Sequence, residues 1–465
     1  MEKYTERKTK KFNEQLSYGY NPTEKLIDAG ADLIINVSSS PWTPGKNIAR
    51  DNRINNMKKT LGDRFVPFYY VNACGVQNNG KNIITFDGDS RIYNKNAEKL
   101  PHKKLKAYEE GIIYINDEDL DSDNWPAFES DNRSAEEIVI REKFDAIIRA
   151  YKGIDEMLGW KPNYVFGLSG GIDSSLTSTL AVLALGKDRV KGFNLPSRYN
   201  SSKTKNAAEK LANNLGIDYR VIPIQSIFDP QIDMLLKEND WNELSSLIDE
   251  NVQAKIRGTS ILSNLAALHK GVMTNNGNKL EVALGYSTLY GDVNGIFAPI
   301  GDLTKVEVFR MAKYINKWYG EIIPSSLIPD DDFNFDIAPS AELKENQFDP
   351  MKWGYHDRML ELMLEFKKHS PEDFMRWYIN GELCTKMKIK ESLFTKYNLG
   401  DPNIFIKDLE WFISTIQKNV FKRVQSPPIV LLSKTAFGYD LRESMFTWES
   451  SLEYDRLKAE ILGGA

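Results

Sequence analysis

Apolar and polar positions alternate in a regular way through the centre of the chain, between residues 164 and 224. Three short apolar runs predict buried strands: YVFGL at 164–168, VKGFNL at 190–195 and YRVIPI at 219–224. Two amphipathic segments between them predict helices: 174–185, followed by Gly186, and 203–215, followed by Gly216. Strands that alternate with helices in this way form a parallel sheet with helices on both faces. The pattern therefore predicts an α/β fold with a doubly wound parallel sheet.

The N-terminal region is rich in predicted strands but small. Apolar runs at 32–38 and 66–73 predict strands, and the stretch 46–61 between them predicts a helix. In ITFDGDSRIY, at 83–92, the turn residues DGDS lie between two β-rich flanks. That arrangement predicts a β-hairpin.

An acidic and polar stretch separates this region from the rest of the chain. Residues 116–134 contain few apolar residues and include Pro126, which predicts a linker. The sequence Ser-Ala-Glu-Glu that begins at Ser134 is a capping signal, so a helix is expected to begin there. We therefore expect a first domain at 1–115, the linker at 116–134 and a second domain at 135–465.

Length and composition limit the possible functions. A chain of 465 residues is too long for one ordinary core, which agrees with two domains. A net charge of −5 argues against nucleic acid as a partner, because nucleic-acid binders usually carry a basic surface. No apolar run approaches the roughly 20 residues that span a bilayer, and the charged N-terminus lacks the core of a secretory signal. Two cysteines, Cys74 and Cys384, predict neither a disulfide framework nor a zinc site, so we expect a cytoplasmic protein.

The stretch SGGIDSS, at 169–175, follows the first predicted strand and opens the next helix. Its glycines allow a tight turn and close approach to a ligand, and the helix N-terminus and the serine hydroxyls favour an anion. Asp173 would repel an anion unless a divalent cation lies between them, and Mg²⁺ commonly joins carboxylates to phosphates. No lysine follows the glycines, so this is not a Walker A loop. We expect Mg²⁺ and a nucleoside triphosphate here; the plainer alternative is a glycine-rich turn capped by Ser and Asp.

The SGGIDSS stretch resembles the signature of the N-type ATP pyrophosphatases, or PP-loop enzymes, which transfer AMP from ATP to a substrate oxygen. Three further stretches, at 195–217, 249–268 and 275–314, resemble those of NAD synthetases in order and spacing. PSAEL at 339–343 and the segment 422–442 extend this similarity over essentially all of 135–445. The resemblance implies that ATP adenylates the carboxylate of deamido-NAD and that ammonia then displaces AMP to give NAD⁺.

The resemblance also implies a role for individual residues. Those at the ATP are Gly167, Leu168, Ser169, Gly170, Gly171, Ile172, Asp173, Ser174, Ser175, Leu195, Asn276 and Lys305. Those at deamido-NAD are Asn251, Arg257, Glu281, Tyr286, Ser287, Thr288, Leu289, Asp292 and Lys422. Of these, Ser169, Asp173, Ser174 and Lys305 are implied to be catalytic, and Asp173 and Glu281 to bind Mg²⁺.

Plainer interpretations of several of these residues stay open. Asn251 and Arg257 lie on a predicted helix and could be surface polar groups, and Tyr286 could be a core aromatic. Lys422, with Arg423, matches a basic segment that reaches an active site of the same or a neighbouring subunit. Asn276 departs from the threonine found in many relatives, but an amide also donates and accepts hydrogen bonds, so ATP binding is expected to survive.

Residues 30–54 and 68–93 resemble the late part of a nitrilase-type glutaminase domain. In glutamine-dependent NAD synthetases that domain uses a Glu, a Lys and a nucleophilic Cys, and the Cys precedes the strand that matches 32–38. Here 31 residues precede that strand and none is Cys, while Cys74 follows it. We expect an inactive, partial glutaminase domain at 1–115, with ammonia supplied directly or by a separate glutaminase chain, and a homo-oligomer.

Two other functions stay open from the sequence. One keeps the adenylation chemistry but uses another carboxylic acid as the acceptor. The other is a non-catalytic or partner-dependent subunit, although Ser169, Asp173, Glu281 and Lys305 are all present.

Overall fold

The computed structural model describes residues 21–100, 105, 107–121, 133–238, 243–330, 342–344, 349–364, 369–438 and 448–463. Parts of the linker, of PSAEL and of the segment 422–442 lie outside these described residues. The chain divides into two compact units, one formed by 1–75 with 86–132 and the other by 76–85 with 133–465. Among the described residues, no helix combines the length and apolar character needed to cross a membrane.

The first unit contains a three-stranded sheet in the order β1-β2-β5. Its elements are α1 (Pro22–Asp28), β1 (Ile34–Ser38), α2 (Lys46–Leu61), β2 (Phe68–Asn72), β5 (Arg91–Tyr93) and α3 (Asp117–Asp121). β1 and β2 are parallel, with Ile34 opposite Phe68, and β2 and β5 are antiparallel. Ile54 and Leu61 of α2 pack with Ile34 and Phe68 in the core of this unit. The predicted strands and the helix at 46–61 are therefore confirmed.

The predicted hairpin at 83–92 is wrong. β3 (Cys74–Asn78) and β4 (Asn82–Asp87) are neighbours in a second sheet, whereas β5 belongs to the first sheet. The short turn between β3 and β4 contains Gly80, with φ of +98°, and the Asn79 amide donates to Asn82 O at 3.1 Å. The residues of DGDS do turn, since φ is positive at Gly88 and Asp89, but the turn leads into a different sheet.

A strand from the far end of the sequence pairs with β4. β10 (Ile429–Val430) runs parallel to β4, with Ile429 opposite Asn82 and Val430 opposite Ile83. The Leu431 amide extends this ladder by donating to Ile83 O at 2.9 Å. Residues 76–85 therefore belong to the second unit, although they lie far upstream of residue 133.

The second unit is built on a four-stranded parallel sheet in the order β8-β7-β6-β9. The strands are β6 (Asn163–Gly167), β7 (Val190–Asn194), β8 (Asp218–Val221) and β9 (Gly271–Met273). The helices up to β9 are α4 (Ala135–Leu158), α5 (Ile172–Leu185), α6 (Ser202–Leu215), α7 (Gln225–Glu238), α8 (Ser246–Lys255) and α9 (Ser263–Leu268), with a π-helical segment at Ile256–Leu262. Val165 of β6 packs with Val252 of α8 and Ala266 of α9. Helix α5 contacts both the sheet and α4. This arrangement confirms the predicted α/β fold, and Ser134 caps α4 as predicted, accepting from the Glu137 amide at 3.2 Å.

The remainder of the second unit is helical. Its elements are α10 (Lys279–Leu284), α11 (Lys305–Tyr319), α12 (Tyr355–Leu364), α13 (Pro371–Ile379), α14 (Leu383–Met387), α15 (Glu391–Lys396), α16 (Pro402–Lys418), α17 (Val420–Gln425) and α18 (Leu452–Ile461). A large apolar cluster joins most of these helices, and its fully buried members include Leu280 of α10, Tyr355 of α12 and Phe412 of α16.

Candidate active site

The loop between β6 and α5 lies at the carboxyl end of a central strand and is held on both sides. The Leu168 amide donates to Phe193 O at 2.8 Å, and the Asn194 side chain donates to Leu168 O at 2.9 Å. Gly170 has φ of +81°, and a Cβ there would lie 2.0 Å from the carbonyl oxygen of Thr204. This position requires glycine, because both the backbone conformation and the available space exclude a side chain. Gly167 and Ile172 lie on either side of this loop, at the end of β6 and the start of α5.

The hydroxyl groups of the loop surround the start of α5. Ser169 Oγ lies 3.1 Å from Ser174 Oγ and accepts from the Gly171 amide at 3.2 Å. Ser174 Oγ and Ser175 Oγ donate to Gly171 O at 3.1 and 2.8 Å. Because Gly171 has no side chain to cap the first amides of α5, these N–H groups can bind an anion.

Four residues from three parts of the chain form a charged cluster next to this loop. Lys305 Nζ lies 2.5 Å from Asp173 Oδ2, and the Asn278 side-chain amide donates to Asp173 Oδ1 at 3.1 Å. Glu281 Oε2 accepts a hydrogen bond from the backbone amide of Asn278 at 3.2 Å. Desolvation and the negative charge of Asp173 raise the pKa of Glu281 to about 8, although Lys305 opposes this. The cluster therefore holds two carboxyl groups and one ammonium group at the start of α5.

Lys305 is only 2% exposed and is the first residue of α11. Thr304 and Glu307 form a capping box that fixes this end of the helix. Burial lowers the pKa of Lys305, but the charges of Asp173 and Glu281 outweigh that effect and raise the pKa above its usual value. A buried, charged lysine beside a helix N-terminus is suited to a polyanionic ligand.

Asn276 lies in a loop that the neighbouring asparagine holds in place. Asn275 Oδ1 accepts from the Gly277 amide at 2.9 Å, and Asn275 Nδ2 donates to Asp292 O at 2.7 Å. The side chain of Asn276 is partly buried and accepts from Thr274 Oγ1 at 3.4 Å. The predicted ATP contact of Asn276 itself stays a prediction.

Arg257 lies in the π-helical segment, where its guanidinium is bonded to uncharged groups of the described residues. Its Nε donates to Leu195 O at 2.9 Å, and its Nη2 donates to Asn200 Oδ1 at 3.2 Å and Gln253 Oε1 at 3.4 Å. Within the described residues, no carboxylate forms an ion pair with Arg257. Burial lowers the pKa of Arg257 to about 10. A desolvated guanidinium of this kind can pair with an anionic ligand.

The loop 286–292, which is predicted to contact deamido-NAD, is hydrogen-bonded to α8. Thr288 Oγ1 donates to Asn251 Oδ1 at 2.8 Å, and the Thr288 amide donates to Asp292 Oδ1 at 2.7 Å. Leu289 forms an isolated β-bridge with Val293. The Asn251 side chain thus contacts the predicted substrate loop rather than pointing away from it.

The side chain of Lys422 donates hydrogen bonds to backbone carbonyl groups of its own chain. Its Nζ donates to Gly285 O at 2.7 Å and to Ser287 O at 2.6 Å, so it caps the end of α10. Burial lowers the pKa of Lys422, while Asp292 acts in the opposite direction. Tyr286 packs against the large apolar cluster, which agrees with the core-aromatic interpretation of this residue.

Three residues were missed from the sequence: two that interact with the charged cluster, and Glu342, which contacts the start of α6. Asn278 contacts Asp173, and its position three residues before Glu281 is a capping-box signal that could have revealed it. Asp349 acts electrostatically on both Glu281 and Lys305, and Glu342 accepts from the Ser201 amide at 2.9 Å. These two acidic residues come from distant segments, so no local pattern links them to the loop.

Comparison with known proteins agrees with these features. A family model described as NAD synthase matches residues 156–392. The glutamine-dependent NAD(+) synthetase of a Synechocystis species is 31% identical over 91% of this chain and 68% of its own length. The enzyme of the same name from Thermotoga maritima is 31% identical, over 91% of this chain and 72% of its own.

A solved structure supports the same assignment. It is the glutamine-dependent NAD⁺ synthetase from Acinetobacter baumannii in complex with ADP, with a TM-score of 0.56 and 25% sequence identity. The similarity covers 90% of this chain and 68% of that chain. The motifs, the fold and the relatives therefore agree that this chain belongs to the NAD synthase family, whose members are ligases that form C–N bonds.

Proposed function

We propose that this chain synthesises NAD⁺ from deamido-NAD, ATP and ammonia. In the first step a carboxylate oxygen of deamido-NAD attacks the α-phosphorus of ATP, and the bond to the β-phosphate oxygen breaks to release pyrophosphate. In the second step ammonia attacks the acyl carbon, the bond to the AMP oxygen breaks, and ammonia loses a proton. The observation that carries this proposal is the buried contact between Lys305 and Asp173 at the start of α5, in a chain of this family.

The residues of the loop would bind the phosphates of ATP. The uncapped amides of α5 and the hydroxyls of Ser169 and Ser174 offer hydrogen-bond donors, and Lys305 offers a positive charge. Such pre-placed donors stabilise the charge that develops on the phosphates as pyrophosphate leaves. Leu195 and Asn276 would lie on the ATP side of the site.

The acid substrate would lie towards α8 and the loop 286–292. Arg257 supplies a guanidinium that no described carboxylate neutralises, which suits the pyrophosphate or carboxylate of a dinucleotide. Asn251 and Thr288 offer side-chain hydrogen-bond groups close to each other. We assign Tyr286, Ser287, Leu289 and Asp292 to the same side of the site, and Lys422 to the support of this loop.

The donor set fits Mg²⁺. Asp173 and Glu281 are carboxylates that interact closely enough to raise the pKa of Glu281, and a divalent cation would relieve their repulsion. The described residues contain no group of three or more His, Cys, Asp or Glu side chains arranged for a metal, so phosphate oxygens and water would complete the coordination. When bound, Mg²⁺ supplies charge neutralisation for the ATP phosphates.

We assign ammonia as the nitrogen donor and residues 1–115 as a glutaminase-like domain that does not hydrolyse glutamine in this chain. Cys74 is the first residue of β3, and its side chain lies next to the turn at Gly88. A Cβ atom added to Gly88 would lie 3.9 Å from the Cys74 sulfur. A homo-oligomer and a separate glutaminase chain are further predictions, which light scattering and co-purification test.

The direct test is NAD⁺ formation by the purified chain with deamido-NAD, ATP and Mg²⁺, using either ammonium or glutamine. We expect product with ammonium only. Asp173→Asn should abolish it, because the variant loses the partner of Lys305 and one Mg²⁺ ligand. Asp188→Asn is the matched control, since Asp188 is exposed and lies beyond the other end of α5.

The alternatives predict different results. ATP–pyrophosphate exchange with another carboxylic acid but not with deamido-NAD would indicate a different acceptor. Absence of both exchange and product would contradict the proposal and favour a non-catalytic or partner-dependent subunit. Product from glutamine would contradict the assignment of an inactive glutaminase domain.

A further inference from the structure

The ammonium group of Lys305 is surrounded by groups from separate parts of the second unit. Besides Asp173, the rings of Phe309 and Trp353 lie near Nζ, with their centroids 5.8 and 5.2 Å away. Phe309 is one turn further along α11, whereas Trp353 precedes α12 and is distant in sequence. A cation near an aromatic face is attracted to the ring, and the attraction increases when water is excluded. Trp353 therefore adds an attractive contact to an ammonium group that water barely reaches.

The backbone of Lys305 is held by the same distant segment. As the first residue of α11, Lys305 has an amide without a partner inside the helix. Asp357 Oδ1 accepts from this amide at 2.8 Å, and Asp357 Oδ2 accepts from the Gly354 amide at 2.8 Å. Asp357 is 1% exposed. One carboxylate thus connects the start of α11 to the turn that carries Trp353.

Two more contacts fix the Trp353 ring. Its indole meets the Phe309 ring edge to face, with centroids 5.6 Å apart and an interplanar angle of 65°. Tyr397 Oη donates to Trp353 O at 2.9 Å and so anchors the backbone. The tryptophan is therefore held in place by its neighbours.

We propose that Trp353 and Asp357 are positioning residues for Lys305, and that they hold its ammonium group beside Asp173 in the orientation that ATP requires. Trp353 acts on the side chain and Asp357 acts on the main chain. The inference rests on the proposed function of Lys305 at the ATP phosphates. It extends the ATP site to residues of the C-terminal helical part that do not themselves contact the nucleotide.

A purely structural role for Trp353 is the competing explanation, because this residue also packs against the large apolar cluster. Trp411 provides a matched control: it packs against the same cluster and stacks on His356, with ring centroids 5.6 Å apart. Lys305 makes no described ring contact with Trp411. Trp353→Leu and Trp411→Leu therefore remove the same side chain, but only one of them removes a contact to Lys305.

The experiment measures the Kd of ATP with Mg²⁺ by calorimetry, without deamido-NAD, for the full chain and its variants. Trp353→Leu should weaken ATP binding about 2- to 30-fold, the range expected when a desolvated cation–π contact is lost. Trp353→Phe should stay within about threefold of the unsubstituted chain, because it keeps an aromatic face. Trp411→Leu should leave the Kd unchanged, and the KM for deamido-NAD should not change in any of them.

Equal ATP affinity in Trp353→Leu and Trp411→Leu would overturn the proposal, as would equal losses in Trp353→Phe and Trp353→Leu. Asp357→Asn keeps an acceptor for the Lys305 amide and should bind ATP more tightly than Asp357→Ala; the reverse order would overturn the role of Asp357. A chain that binds ATP but forms no NAD⁺ would refute the proposed function. The ATP affinities of the variants would then still test the positioning role of Trp353 and Asp357. A chain that does not bind ATP would refute both.

Discussion

Gly170 allows the sharpest test of the loop between β6 and α5. Its φ of +81° is costly for any other residue, and Gly170→Ala would incur about 1–2 kcal/mol for that conformation alone. The added Cβ would lie 2.0 Å from Thr204 O and 2.6 Å from Thr204 C, both backbone atoms of α6. Carbon–oxygen contacts ordinarily begin at about 3.3 Å, so the loop and α6 must separate by about 1.3 Å.

That separation has a cost in stability and a larger cost in activity. Overpacking of this kind usually costs about 1–3 kcal/mol, which gives a total loss of about 2–5 kcal/mol in the free energy of unfolding. Misplacement of reacting groups by about 1 Å can reduce the rate about 100-fold. We therefore expect Gly170→Ala to fold with reduced stability and to form NAD⁺ at least about 100-fold more slowly.

Gly216 provides the matched control. It closes α6, the helix that contacts Gly170, and has φ of +64°. A Cβ there would meet only the Lys187 side chain, at an ordinary distance of 3.6 Å. Gly216→Ala should therefore lose only about 1–2 kcal/mol and keep its activity within about threefold. Urea unfolding and NAD⁺ formation measure both effects, and similar activity in the two variants would refute the argument from the Thr204 contact.

Three further predictions concern the charged groups and Cys74. Because the pKa of Glu281 is raised from its ordinary 4.5 to about 8, its ionisation destabilises the folded state as pH rises through that interval. Glu281→Gln should therefore gain stability relative to the wild type between pH 5.5 and 8.5 in urea titrations, and Mg²⁺ should reduce the gain; a difference independent of pH would contradict this. Lys422→Met should lower the free energy of unfolding by about 1–3 kcal/mol, since two carbonyl groups lose a charged donor, and an unchanged value would argue against the capping role. Cys74→Ser should leave ammonium-dependent NAD⁺ formation unchanged, whereas glutamate release from glutamine that this variant abolishes would identify Cys74 as a nucleophile.

The sequence predicted those features that depend on neighbouring residues. The strand ending at Gly167, the glycine turn and the helix closed by Gly186 were all visible, because each signal lies within a few positions of the element that it forms. The capping pair Asn278 and Glu281 was equally local, although Asn278 was not predicted.

Features that depend on distant segments were missed or wrong. The turn residues DGDS predicted a hairpin, but the fully buried strand β4 pairs with β3 and β10 instead. The supports of Lys305, namely Trp353 and Asp357, lie about 50 residues downstream of it. Tertiary packing decides such pairings, and it is not encoded in a short window of sequence.

The pairing of β4 with β10 has a consequence for how the protein is made. The Leu431 amide and the Ile83 carbonyl are bonded, yet about 350 residues separate them along the chain. At a synthesis rate of about 5–20 residues per second, that interval corresponds to about 17–70 s on the ribosome. During this time the edge of β4 that receives β10 has no native partner, although all six residues of the strand are buried in the finished protein. Substitutions that weaken this pairing, at Ile429 or Val430, should therefore slow folding and increase aggregation in cells, because both residues are synthesised long after β4.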